Sequence, residues 1–367
     1  MMSKKRSFMR KLAKFLTAYI PTVISAGISS INPLVYGMIP FRRQLAIIMV
    51  TSRCNMRCVM CGLRNSGEED KELSLNEWEG IFRQLKDSGF KEIHFTGGEP
   101  LMRMDFVDLV LLAKKHGFTV GMTTNGSLVD NRILPDLIDA GLYSVAISID
   151  AIGERYESIR GLKGGYEKAL SALKLLARYK SEGRIAAYVN FTLMKPSLPD
   201  FVQVKKLTDS LGLPIDICLL DYTPYLFDVS ANRDKFLIGE NESEEFTRLI
   251  EFLAGEKKRS PDSLILTNSA IAYIKKYFGD TVQKHIPCTA SQARIFINPA
   301  GKVLGGCLSM GALGDLTGTP LKDILSSPKS KKAHKNMFYK KCPGCSCGYI
   351  YNIRHHLPSI LSDLFKG

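Results

Sequence analysis

At 367 residues with 45% apolar and 23% charged composition, the chain is long enough for one large core with a smaller appended unit, and too varied to be disordered or fibrous. The net charge of +14 sits at the ends: residues 1–43 carry eight Lys or Arg and no acid, residues 327–367 carry eight against Asp363 alone, and the stretch between has a net charge of −1. That placement argues against a nucleic-acid footprint across the body. Of the nine cysteines, three fall within eight residues, a pattern of ligands in a reducing cytoplasm rather than of a secreted disulfide framework.

In chain order, the basic run Lys4, Lys5, Arg6, Arg10, Lys11, Lys14 leads into 27 uncharged residues from Phe15 to Phe41, closed by Arg42 and Arg43. Pro21, Pro33 and Pro40, with Gly27 and Gly37, argue against one straight span, and basic residues on both flanks favour keeping both on the cytoplasmic side. Residues 1–43 are therefore expected to be a monotopic anchor lying in the membrane interface, the alternative being an apolar extension packed on the body or on a second subunit. The protein is expected in the cytoplasm, peripheral on the membrane.

From residue 44 short apolar runs alternate with amphipathic stretches, the pattern of βα units around a parallel sheet. Strands are expected at Leu45–Thr51, Glu92–Thr96, Thr119–Thr124, Ser144–Ile149, Ala186–Met194 and Ile215–Asp221. The clearest helix begins at Ser74, where Ser74 and Glu77 form a capping box before Trp78, Ile81 and Leu85. Others are expected near 104–116, 131–141, 165–180 and 199–211. Six units cannot complete an eight-unit barrel, so the expected fold is α/β, an open partial (βα)6 TIM-like barrel over residues 44–227 with functional residues at the strand C-terminal ends. A helical connection follows over 228–284. A small cysteine-rich C-terminal domain over 285–350 opens with a hairpin, RIFINPAGKVLGG, turning at Pro299–Gly301, and a tail occupies 351–367.

Directly after the first strand comes CNMRCVMC, which sets Cys54, Cys58 and Cys61 in a Cys-x3-Cys-x2-Cys spacing. Three thiolates on a four-iron cluster leave one iron open, and a compact set of three with no fourth nearby implies that the last iron takes another ligand; structural zinc is the alternative. The second strand ends in FTGGEP (Thr96, Gly97, Gly98, Glu99, Pro100), with glycines that let the backbone approach a ligand, the third in TTNGS (Thr124 and Asn125 within it), the fourth in SID (Ser148, Asp150). IRG follows with Arg160, and VNFTLM carries Asn190.

These motifs, in this order over about residues 44–225, resemble the radical S-adenosylmethionine (SAM) superfamily. The resemblance implies a [4Fe–4S] cluster on Cys54, Cys58 and Cys61, with SAM on the open iron. It also implies SAM contacts from Met60, Thr96, Gly97, Gly98, Glu99, Pro100, Thr124, Asn125, Ser148, Asp150, Arg160 and Asn190, Arg160 pairing with the SAM carboxylate. Met60 stands where the family commonly has an aromatic residue. The expected chemistry is reductive cleavage of SAM to a 5'-deoxyadenosyl radical, fed by a reductant such as flavodoxin or ferredoxin.

Cys288 and Cys307 bracket the hairpin, and Cys342, Cys345 and Cys347 lie in CPGCSC. This resembles the C-terminal extension of SPASM and twitch enzymes and implies one auxiliary [4Fe–4S] cluster on Cys288, Cys307, Cys342 and either Cys345 or Cys347, with zinc as the alternative. Cys218 reads as a core residue, His285, His355 and His356 have no ligand spacing, and the lysine run from Lys329 to Lys341 reads as a solvated helix face. The leading expectation for function is an oxidoreductase or carbon-skeleton-modifying enzyme acting on a membrane-presented substrate such as a lipid or polyprenyl-linked molecule. The alternatives are a SPASM-type peptide-modifying maturase and a non-catalytic iron–sulfur electron carrier.

Overall fold

The computed structural model describes residues 44–63, 71–220, 233–276, 288, 290–308, 311–339 and 341. Six parallel strands follow one another across the sheet: β1 (Leu45–Met49), β2 (Glu92–Thr96), β3 (Thr119–Thr124), β4 (Leu142–Ser148), β5 (Ala186–Leu193) and β6 (Ile215–Leu219). Between them run α1 (Leu75–Asp87), α2 (Phe106–Lys115), α3 (Ile133–Asp139), α4 (Gly153–Arg160), α5 (Gly165–Ser181) and α6 (Phe201–Ser210). The sheet stays open rather than closing into a barrel, as the six-unit count requires.

Local chemistry sets these elements. At the start of α1 the Ser74 side chain accepts from the Glu77 backbone N–H, and the Glu77 carboxylate accepts from the Ser74 N–H at 2.8 Å, so two helix-end donors are satisfied reciprocally. Trp78, Ile81, Phe82 and Leu85 form the buried face of α1. Phe82 lies 6.3 Å from Phe95 of β2, Phe95 lies 5.5 Å from Phe106 of α2, and Phe191 of β5 lies 5.0 Å from Phe201 of α6. These contacts identify the helix-covered face of the sheet, whose apolar side chains are almost fully removed from water.

Strand alternation turns the intervening residues to the opposite face: His94 and Thr96, Gly121 and Thr123, Ser144 and Ser148, Tyr188 and Asn190, Asp216 and Cys218. Register aligns His94 with Gly121 and Ser144, and Ser148 with Asn190 and Asp216. That face is predominantly polar between β2 and β6. Near β1 it is apolar, and there Met49 packs with Leu63, Phe296, Leu304 and Leu308.

The hairpin expected within the cysteine-rich unit extends the core's own sheet. Its first strand, β7 (Arg294–Ile297), pairs in parallel with β1 from Leu45↔Arg294 to Ile48↔Ile297, and β8 (Lys302–Val303) and β9 (Gly314–Asp315) follow antiparallel. β1 is thereby a central strand, satisfied on both sides. Leu73 N–H donates to Pro299 O at 3.0 Å and Leu321 N–H to Gln84 Oε1 at 2.7 Å, which ties the C-terminal segment to the start and flank of α1. The connection contains α7 (Ser243–Arg259) and α8 (Asn268–Lys276), docked beside β6 where Ile265 N–H donates to Ile215 O. After them come α9 (Leu321–Ser326) and α10 (Pro328–Phe338), whose Lys329, Lys331, Lys332 and Lys335 are exposed. Among the described residues no helix is long and apolar enough to cross a membrane; the anchor expectation for 1–43 lies outside them.

Candidate active site at the strand C-terminal ends

Cys54, Cys58 and Cys61 occupy the loop after β1, each partly buried. The loop is held from two sides by backbone. From one side, Gly98 N–H donates to Thr51 O and Glu99 N–H to Arg53 O, both at 2.8 Å. From the other, Arg57 N–H donates to Arg160 O and Val59 N–H to Ile159 O, both at 2.9 Å, so the end of α4 accepts from the cysteine loop. The glycines of both motifs serve these approaches. A Cβ on Gly98 would lie 2.1 Å from Arg53 O, and one on Gly161, whose φ is +65°, would lie 2.4 Å from Arg57 O. Gly97 and Gly98 thus let one backbone segment reach another.

Two buried carboxylates stand behind the loop. Glu99, wholly buried, accepts from Thr124 Oγ1 at 2.7 Å and Asn125 N–H at 2.8 Å, and burial pushes its pKa up to about 7. Asp150, also wholly buried, accepts from Thr192 N–H at 2.7 Å and meets Arg160 Nη2 at 2.6 Å. Burial opposes the Arg160 charge, but Asp150 and Cys58 outweigh it and hold the guanidinium firmly protonated. Arg160 Nη1 reaches Cys58 Sγ at 3.9 Å, and Asn125 Nδ2 reaches Cys54 Sγ at the same distance. Burial, partly countered by the Met56 N–H at 3.4 Å, raises the Cys54 thiol above its ordinary value.

Several supports here carry no motif in the sequence. Tyr156, wholly buried, donates to Asn125 O at 3.4 Å and lays its ring beside the Arg160 guanidinium at 5.9 Å, joining the two groups that face the sulfurs. Arg103 donates to Val50 O and to Leu73 O while paired with Asp105 at 2.7 Å, clamping the end of β1. Arg53 pairs with Glu72, which also accepts from Thr51 Oγ1. Asp200 accepts from Ile152 N–H and from Arg155, both at 2.9 Å, fixing the start of α4. The i,i+4 spacing of Tyr156 and Arg160 was the one readable signal among them.

Residues 48–201 match the model of the radical SAM superfamily. This segment is a radical SAM domain. Its curated relatives include the Fe-coproporphyrin III synthase of Methanosarcina barkeri, 31% identical over 59% of this chain and 52% of that protein, and the PqqA peptide cyclase of Bradyrhizobium diazoefficiens, 29% identical over 71% and 66%. The chain thus spans between half and two thirds of the length of these relatives. Among solved structures, Streptococcus suis SuiB bound to precursor peptide SuiA superposes with a TM-score of 0.63 at 15% identity, over 84% of this chain and 70% of that one, a likeness of fold.

Radical SAM domains bind a [4Fe–4S] cluster and SAM. The radical SAM domain here fits the first of these groups. Among the described residues no three His, Cys, Asp or Glu side chains gather tightly enough for one metal ion, whereas a cluster takes each thiolate on a separate iron and offers wider spacing. Donors already point at two of the sulfurs. Of the expected SAM contacts, Thr96, Ser148 and Asn190 lie on the polar face, while Thr124, Glu99 and Asp150 are buried behind the loop in bonds to protein groups. Pro100 and Met60 are buried too, Met60 within the main core. Cys288 and Cys307 both flank β7: Cys288 N–H donates to Phe338 O at the end of α10, and the hairpin returns so that Gly306 O accepts from Arg294. Cys342, Cys345 and Cys347 lie outside the described residues.

Proposed function

We propose that this protein is a radical SAM enzyme that modifies a peptide. Cys54, Cys58 and Cys61 would hold the [4Fe–4S] cluster, and Cys288, Cys307 and Cys342, with Cys345 or Cys347, an auxiliary one. When bound, these groups supply reductive cleavage of SAM to a 5'-deoxyadenosyl radical, which takes a hydrogen atom from an unactivated position of the substrate. The chain's own residues orient and enclose: the Gly97–Glu99 and Ile159–Gly161 segments fix the cysteine loop, and the face opposite the helices receives the substrate.

The observation that carries the peptide reading is the chemistry of that face. Thr96, Ser148 and Asn190 offer hydrogen-bonding groups of the kind a peptide backbone uses, and the apolar part near β1 is already filled by Leu63, Phe296, Leu304 and Leu308. Similarity to a PqqA peptide cyclase over 71% of the chain supports the same class. A lipid substrate would ask for open apolar surface, which the described residues of this face do not offer.

Anaerobic reconstitution with SAM and dithionite is expected to yield 5'-deoxyadenosine in wild type and none in Cys58→Ala; product from the variant would sink the cluster assignment. With perdeuterated candidate peptides as substrates, deuterium is expected in 5'-deoxyadenosine. Deuterium arriving from labelled membrane lipids instead would overturn the peptide reading.

A further inference from the structure

Every polar atom of the Asn125 side chain is committed. Its Oδ1 accepts from Ser127 N–H at 2.9 Å and Ser127 Oγ at 2.6 Å, which fixes the orientation of the amide. Nδ2 is left to face Asn55 Oδ1 at 2.9 Å and Cys54 Sγ at 3.9 Å, and Asn55 closes the ring by donating to Ser127 Oγ at 2.8 Å. The Asn125 backbone is held equally: its N–H donates to Glu99 at 2.8 Å and its carbonyl accepts from Tyr156. A neutral amide held this tightly keeps a donor directed at one sulfur. At Cys58 the corresponding donor, Arg160, is offset by Asp150 at 2.6 Å.

We propose that Asn125 is a positioning residue that sets the reduction potential of the cluster on Cys54, Cys58 and Cys61 by directing its amide N–H at the Cys54 sulfur. This rests on the reading that those three cysteines hold the cluster. One electron passes to the cluster from a low-potential flavodoxin- or ferredoxin-class reductant; no bond forms or breaks and no proton moves. The added negative charge spreads onto the ligand sulfurs, so a donor aimed at Cys54 favours the reduced form over the oxidised one and raises the potential. Arg160, neutralised by its partner, contributes less of that bias than its full charge suggests.

The test is a mediated redox titration of the anaerobically reconstituted full chain, following the electron paramagnetic resonance of the reduced cluster. A Cys54/Cys58/Cys61 triple alanine protein supplies the signal of any auxiliary cluster for subtraction. Asn125→Asp keeps acceptors for Ser127 and loses the donor, and Asn125→Ala loses both. At a fixed applied potential each is expected to lower the ratio of reduced to oxidised cluster by about tenfold, equivalent to ~59 mV for a one-electron couple, at wild-type iron content. An unchanged ratio in a fully loaded variant overturns the proposal. Should neither variant load iron, the wild-type protein decides: isotope-labelled asparagine is expected to give a weak nitrogen coupling to the reduced cluster in pulsed spectra, and its absence overturns the proposal. A triple alanine protein that retained all its iron would instead remove the underlying cluster reading.

Discussion

Gly161 shows how one residue couples the fold to the site. Its φ of +65° ends α4 and brings that helix end onto the cysteine loop, with no room for a side chain against Arg57 O. Gly161→Ala is expected to cost about 1–3 kcal/mol from the left-handed conformation alone, more with the clash, and to release iron during gel filtration; denaturant midpoints and iron content check both. His94 carries a second residue-scale consequence. Enclosed beside Gly121, Ser144 and Thr123, to which its Nε2 lies 2.8 Å, it is held by burial at a pKa of about 4, below its ordinary 6.5. The unfolded chain therefore takes up this proton first as the pH falls, so the His94 contribution to stability is full above about 6.5 and is lost toward 4. His94→Asn is expected to flatten the acid limb of the stability profile in that window, measured by urea unfolding; an unchanged slope would show that the ring titrates normally.

At the scale of elements, α6 and α7 are joined by a buried lysine. Lys205, with a fully buried side chain, meets Asp209 at 2.5 Å and Glu256 at 3.2 Å, both of which retain some contact with water. Removing the cation leaves two solvated acids, whereas removing Glu256 leaves a buried ammonium with Asp209 alone. Lys205→Met is accordingly expected to be close to neutral, and Glu256→Ala to cost up to about 3–5 kcal/mol; the reverse order in thermal unfolding would refute this account. The capping box of α1 gives a smaller effect, with Ser74→Ala expected to lose about 1 kcal/mol. The capping of α1 bears on the site, since α1 begins next to Leu73, whose carbonyl Arg103 holds together with that of Val50.

Over the whole molecule, the joining of β7 to β1 matters most. The strand that feeds the cysteine loop is paired on both sides, and the chain between Cys288 and Cys307 supplies one of those neighbours. An auxiliary cluster there would stand on the same sheet as the first. The triple alanine variant of Cys54, Cys58 and Cys61 is expected to lose about half of the iron bound by wild type; loss of all of it would argue against a second cluster. Residues 1–43 supply the membrane test. A membrane anchor there requires that the 367-residue chain co-sediment with vesicles containing anionic lipid and that deletion of residues 1–41 abolish this; retained sedimentation would refute the anchor.

The sequence by itself determined the order of the βα units, the capped start of α1, and the open-iron cysteine spacing, because all of these are local: periodicity, caps and ligand spacing are written within a few residues of one another. The FTGGEP, TTNGS and SID motifs behind the cysteines were legible for the same reason, each falling at the end of a strand. Only the tertiary structure decided what those motifs touch. Gly98 and Gly161 meet backbone atoms of the cysteine loop, Glu99 and Asp150 are sealed behind it, Arg160 pairs with Asp150, Tyr156 reaches Asn125, and Arg103 and Asp200 enter from segments with no periodic or motif signal. The addition of β7 to β1 belongs there as well, since a parallel pairing across some 250 residues is fixed by packing and edge satisfaction, which no local pattern encodes.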